Sequence, residues 1–462
     1  MTRRVMRSRP RPHCWVVAAF ILATQFACSS DDAPAEEAGP AWVSVKAAVH
    51  VHSVHSHDAC DGEPRVDGEP NAPCAQDLRD GACATRYDHI FLTDHDSEMA
   101  TEPWAELLVP YFREGDEWVG GEARHGLAMR CPDGHIVRLY PGAENDLMPI
   151  GLDRHLGDSL AIGSPELHQL YDKDGPDNVA AFKAAGGVVF VNHAEQHTTE
   201  EIDAYDIDGI EIYNIHATLQ ELLEGRADVG DISEFMRTDE DAAPADLLFL
   251  TLFKDNDEDL THWSKLSHTR RLAGVAAHDV HRNALPGPMA DGERMDSYRR
   301  LLSWYSNRVF VPTADPGPTR EAVRQALKEG RSYMSGDVVG DTAGFDAVVR
   351  WDAGGDAAGF ELRMGDEAPF TQGMAAQVTP PAVPEGATAE IALVEMRADG
   401  TWGDLQTTDA GLGDATLPLP SAGVYRVEVR MTPAHLADRL KGAAALAERS
   451  FVWVRTNPFH VR

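Results

Sequence analysis

Between Ala48 and Asp58 the chain reads AVHVHSVHSHD, which places four histidines and an aspartate within nine residues. Imidazole and carboxylate groups are ordinary protein ligands of divalent metals. The run follows the short apolar stretch Val43–Val51, and alternation along a strand sends residues i and i+2 to one face. His50 and His52 are therefore expected to point together at a strand end, with His55 facing away. A lone His-x-His pair is weak evidence. What gives this one weight is a pattern that returns downstream.

Five further apolar runs end in groups able to bind a metal. His89–Leu92 leads into Thr93-Asp94-His95-Asp96, and Ile136–Tyr140 leads into Pro141-Gly142-Ala143-Glu144. Gly187–Val191 leads into Asn192-His193-Ala194-Glu195; Ile207–Ile212 carries Glu211 and ends near Asn214. Leu272–Ala277 leads into His278-Asp279-Val280-His281. Short β-rich runs of this kind read as buried parallel strands. Between them lie helix-like segments at Asn178–Ala185, Leu219–Leu223, Met295–Tyr305 and Thr319–Glu329, the last punctuated by Pro318 and Gly330. Strands alternating with helices argue for an α/β fold. Polar groups gathered at the carboxyl ends of successive strands argue for a closed barrel with its site at that face.

The series resembles the PHP superfamily, named for polymerase and histidinol phosphatase domains. Its first signature matches His50-Val-His52-Ser53-Val-His-Ser56-His57-Asp58, and its second matches Leu92-Thr93-Asp94-His95. Gly142-Ala143-Glu144, His193 and the closing Asp279-Val280-His281 follow in the family's order, and the resemblance runs from about Val43 to Asp337. It implies a distorted (β/α)7 barrel over residues 43–340 that holds two or three divalent ions, Zn, Mn or Fe. His50, His52, Glu144 and Asp279 look like one ion's ligands. Glu144 would bridge to a second ion held by His193 and one further histidine, His155 or His168, of which His155 stands closer in the chain. His95, His281 and either His57 or Asp58 would hold the third. The sequence departs from the family where His57 stands at a usual aspartate, and where His278 precedes the Asp-x-His. Asp94 and Glu211 are expected to orient ligands or to pack.

The implied activity is that of a metal-dependent phosphoesterase, in which a hydroxide shared by two cations attacks phosphorus. Glu144, Asp279 and His193 would surround the reacting centre, and Arg282 would contact the phosphate. Hydrolysis of a C–N or C–O bond, or binding with structural metals, is the alternative. The expected partner is a small phosphorylated molecule, and specificity would reside in the loops Asp58–Arg86, Asp96–Gly134 and Arg226–Asp259. The formal net charge of −34 opposes an extended nucleic-acid surface.

The chain opens with Arg3, Arg4, Arg7, Arg9 and Arg11, then the apolar run Trp15–Ala27 and Cys28. This reads as an export leader over residues 1–28 ending like a lipoprotein box, with Cys28 lipidated and the protein anchored in the cell envelope. Gln25 departs from the usual aliphatic residue of that box. Residues 29–42 read as a tether. Cys60, Cys74, Cys83 and Cys131 remain; in an exported protein they suggest two disulfides with three possible pairings. Residues 343–462 carry short alternating runs separated by turn residues, which predicts a smaller β-sandwich-like accessory domain, with a helix-like insert at Ala434–Ala447.

Overall fold

The computed structural model describes residues 41–95, 99–157, 159–215, 218, 232–313, 318–351 and 359–462. The leader, nearly all of the tether, Cys28 and the helix-like Leu219–Leu223 lie outside the described residues.

Nine strands frame the site: β1 (Trp42–Val51), β2 (His89–Leu92), β3 (Ile136–Tyr140), β4 (Leu147–Ile150), β5 (Val188–Val191), β6 (Gly209–Asn214), β7 (Ala273–Val280), β8 (Ser306–Pro312) and β9 (Ser332–Ser335). Six of them run parallel in the order β3-β2-β1-β7-β6-β5. β2 and β5 are buried at every residue, as their largely apolar sequences HIFL and VVFV require.

The expected closed barrel is corrected. The sheet is open and mixed, with seventeen strands. Its two flanks explain why it does not close. The outer edge of β3 is taken by the antiparallel strand Gly126–Arg130, which pairs in turn with Glu117–Val119. At the other flank β4 turns back antiparallel to β5, with Leu147 opposite Val191. Among the described residues no ladder joins these flanks.

The separate C-terminal sandwich is corrected with it. β9 pairs with β12 (Phe451–Thr456), Ser335 lying opposite Val454. β12 pairs with β11 (Gly423–Thr432), and β11 pairs with β10 (Thr388–Met396), so these strands extend the same large sheet. A four-stranded antiparallel sheet built on Asp346–Trp351 and Ala375–Thr379 shares its core, through Val349 and Val378, with Ile391 and Val429. Helices meet expectation more closely. Thr319 caps Arg320–Lys328, and the next glycine, Gly330, has a φ of +70°.

Two disulfides, Cys60–Cys74 and Cys83–Cys131, resolve the three possible pairings. Both staple helix α1 (Ala72–Ala84), whose Asn71 cap accepts from the Cys74 N–H at 3.1 Å. Such bridges persist in oxidising, extracellular environments. No helix among the described residues is long and apolar enough to cross a membrane.

Candidate metal centre

The carboxyl ends of the parallel strands converge on one spot, but simple alternation does not bring His50 and His52 together. β1 ends at Val51, and His50 has a φ of +59°. The ladder between β1 and β7 steps irregularly between Val49–Ala277 and Val51–Val280. This bulge turns the two rings toward each other, with centroids 5.1 Å apart. His193 (φ +45°) and Asp279 (φ +47°) also stand in the left-handed region at strand ends. Non-glycine residues pay for that conformation only where the surroundings enforce it, and such residues cluster at functional sites.

Glu144 reaches the spot because Gly142 lets three strand ends crowd together. A Cβ at Gly142 would lie 2.5 Å from the Pro149 carbonyl oxygen and 2.6 Å from that of Leu92. Beyond it, Glu144 bridges to His95 in the backbone, and the two side chains meet at 2.9 Å.

Three overlapping sets of ligand atoms result, each within 4.8 Å: His52, Asp58, His95 and His281; His50, Glu144 and His193; and His50, His52 and Asp279. His50 Nε2 lies 3.3 Å from both Glu144 Oε1 and Asp279 Oδ1. His281 Nε2 lies 3.2 Å from Asp58 Oδ2, and His193 Nε2 lies 3.3 Å from Glu144 Oε1.

The outer shell sets the tautomers. His50 Nδ1–H donates to Glu211 Oε1 at 2.5 Å, leaving Nε2 to face the cluster. His52 Nδ1–H donates to Ser56 Oγ at 2.9 Å, and that hydroxyl donates to Asp94 Oδ1 at 3.0 Å. His281 Nδ1–H donates to the Asp279 carbonyl at 3.2 Å. Asn192 Nδ2 holds Glu144 Oε1 at 2.7 Å, and Glu195 stands 3.6 Å behind His193 Nδ1.

The electrostatics are those of a site built around cations. Burial opposes charge on His95, yet Asp58 and Glu144 outweigh it and raise its pKa to about 10. Burial likewise opposes charge on His193, yet Glu144 and Glu195 raise it to about 11. Burial, aided by the neighbouring His281, drives His52 down to about 3. Burial disfavours an ionised Asp58, but His281 and His95 hold it below the ordinary carboxylate range.

His50 Nε2, His52 Nε2, Asp58 Oδ1, Glu144 Oε2 and His281 Nε2 are buried and have no hydrogen-bond partner outside the cluster's own imidazoles and carboxylates. Orphaned polar atoms of this kind call for an explanation, and nitrogen and oxygen donors without thiolate fit Zn, Mn or Fe. The residues fit the implied metals. An imidazole Nε2 has one lone pair, so His50 and His52 can each serve one cation. With both given to Asp279's set, Asp58, His95 and His281 complete a second. Glu144 and His193 are then all that the described residues offer a third.

The structure thus brings together His50, His52, Asp58, His95, Glu144, His193, Asp279 and His281. His57 is exposed, its ring 5.1 Å from that of His95 and outside the three sets. His155 is also outside them, its nitrogens engaged by Tyr171 Oη at 2.8 Å and the Glu102 carbonyl at 2.7 Å. His168, on the helix Pro165–Asp172, belongs to none of the sets. Arg282 lines the adjoining cavity, but its Nε meets Asp77 Oδ2 at 2.8 Å. His278, with a pKa lowered to about 4 by burial, has Nδ1 3.2 Å from the Val49 carbonyl and Nε2 2.9 Å from the Tyr305 carbonyl, beside His50. Asn192 and Glu195 were the residues that sequence reasoning passed over. Their only signal was their place either side of His193 at a strand end. No protein-family model, curated protein or solved structure matches this chain.

Proposed function

We propose that this chain is a metal-dependent hydrolase of the PHP type acting on phosphate esters. The observation that carries the reading is the convergence of eight ligand-type side chains, six of which line a cavity of about 370 Å³. Divalent cations bound there would supply an activated water and offset the charge of the phosphoryl oxygens. The chain's own part is to hold that constellation rigid. Glu211, Ser56 and Glu195 fix the imidazoles, Asn192 fixes Glu144, and the stapled loop at Cys60 fixes Asp58.

Hydrolysis of a carbonyl C–N or C–O bond is the second reading, favoured by one observation. Arg282 is the only Arg or Lys among the described cavity residues, and its Nε is already paired with Asp77. Turnover of p-nitrophenyl phosphate against p-nitrophenyl acetate by the metal-loaded protein separates the two. In keeping with the disulfides, the protein is proposed to be exported and anchored through Cys28, with residues 43–340 carrying the site and 343–462 supporting it.

A further inference from the structure

The cavity beside the metal centre has two kinds of lining. Asp58, His95, Glu144, His193, Asp279 and His281 supply the ligand-type part of its lining, and Leu248, Leu252, Leu285, Met295, Leu301 and Trp304 supply the apolar part. Its volume of about 370 Å³ lies within the range of small-molecule sites. Most polar groups on the described wall are already engaged by the protein. Asn283 Nδ2 donates to the Asp58 carbonyl at 2.9 Å, and Asp296 Oδ2 accepts from the N–H groups of Ala284 at 2.6 Å and Leu285 at 2.9 Å. Arg282 Nε pairs with Asp77 at 2.8 Å, and its Nη1 lies 3.7 Å from Asp61, which offsets its charge without a hydrogen bond. Trp304 is locked in place, its Nε1–H donating to the Asp246 carbonyl at 2.9 Å while its ring stacks on Phe249.

A polyol, a sugar or a second anionic group entering this space would exchange water for apolar contact without regaining its hydrogen bonds, which is costly. An uncharged hydrophobic group would instead cover Leu285, which is 38% exposed at the rim. Resting on the hydrolase reading above, we infer that the substrate carries an apolar, aryl-sized group next to the scissile bond. The wall from Leu248 to Trp304 selects it. Sugar phosphates and nucleotides are poor substrates.

The test is calorimetric binding of 1-naphthylphosphonate and methylphosphonate to the metal-loaded full chain, beside turnover of 1-naphthyl phosphate and glycerol phosphate. The naphthyl ligand is expected to bind at least about tenfold tighter, as pocket apolar groups commonly allow. Leu285→Asn and Leu301→Asn, each checked for unchanged metal content, should cut that preference to about threefold or less. Equal affinities, or no binding of either phosphonate, overturn the inference. If the preference holds but no phosphate ester is turned over, the apolar wall stands and the phosphoesterase reading fails. If esters turn over with no naphthyl preference, the reverse is true.

Discussion

His50 and Glu211 meet at 2.5 Å with both side chains buried, so the carboxylate fixes which face of the imidazole looks into the cluster. Glu211 belongs to none of the ligand sets, and its other oxygen accepts from the His193 N–H at 3.1 Å, so it braces two ligands at once. Glu211→Gln should keep the fold and weaken metal affinity by about 10- to 100-fold, as loss of such outer partners typically does. Competition titration against a chromophoric chelator measures this. An affinity unchanged within about twofold would mean the contact merely fills space.

Gly142 gives a second handle. Its Cβ position is occupied on two sides by backbone oxygens, which cannot yield as a flexible side chain would. Gly142→Ala should cost about 1–3 kcal/mol of stability by overpacking. It should also lower metal occupancy by displacing Glu144. Chemical denaturation and elemental analysis on one preparation report both effects.

The two disulfides should behave differently. Cys60 N–H donates to the His281 carbonyl at 3.0 Å, and Cys60 lies two residues beyond Asp58, so its bridge to Cys74 fixes two ligands of one set. Paired replacement Cys60→Ser with Cys74→Ser should lose the ion held by Asp58, His95 and His281 before the other. Replacing Cys83 and Cys131, which close a 48-residue separation, should leave metal content intact and cost about 2–5 kcal/mol of stability.

Acid should act through Glu428. Its carboxylate is buried and meets Arg426 at 2.9 Å, Arg455 at 2.9 Å and Arg430 at 2.7 Å. Burial opposes its charge, but the three guanidinium groups prevail and depress its pKa. A depressed native value means the stabilisation is complete above the unfolded pKa of about 4.3 and is lost as pH falls toward the native value. Glu428→Gln should therefore destabilise the protein at neutral pH by about 3–5 kcal/mol, the cost of breaking a buried pair. It should also flatten the loss of stability below about pH 4.3. Urea midpoints measured from pH 7 down to pH 3 give both.

Much of the site could be read from residue types at strand ends, because a buried strand that stops at a His or a carboxylate is a local feature. The rest depended on partners far away in sequence. The choice of Asp58 over His57 follows from the Cys60–His281 backbone bond, 221 positions apart, and not from parity within the loop. His155 is drawn away by Tyr171 and by the Glu102 carbonyl, neither of which its local sequence announces. The barrel failed for a similar reason. The segment Asp96–Gly134 reads as a loop, yet its described residues contain the hairpin Glu117–Val119 with Gly126–Arg130 that occupies the edge of β3. Likewise the alternating runs after Gly423 do read as strands, but only the Ser335–Val454 register shows that they join the first sheet.

The most direct test of the central claim is elemental analysis of the purified protein beside His52→Ala and Glu144→Ala, with p-nitrophenyl phosphate turnover on the same samples. The account predicts two tightly held divalent ions per chain, with a weaker third; His52→Ala should lose a tightly held ion, Glu144→Ala should lose the third, and both should lose turnover. No stoichiometric metal after reconstitution with Zn, Mn and Fe would contradict it.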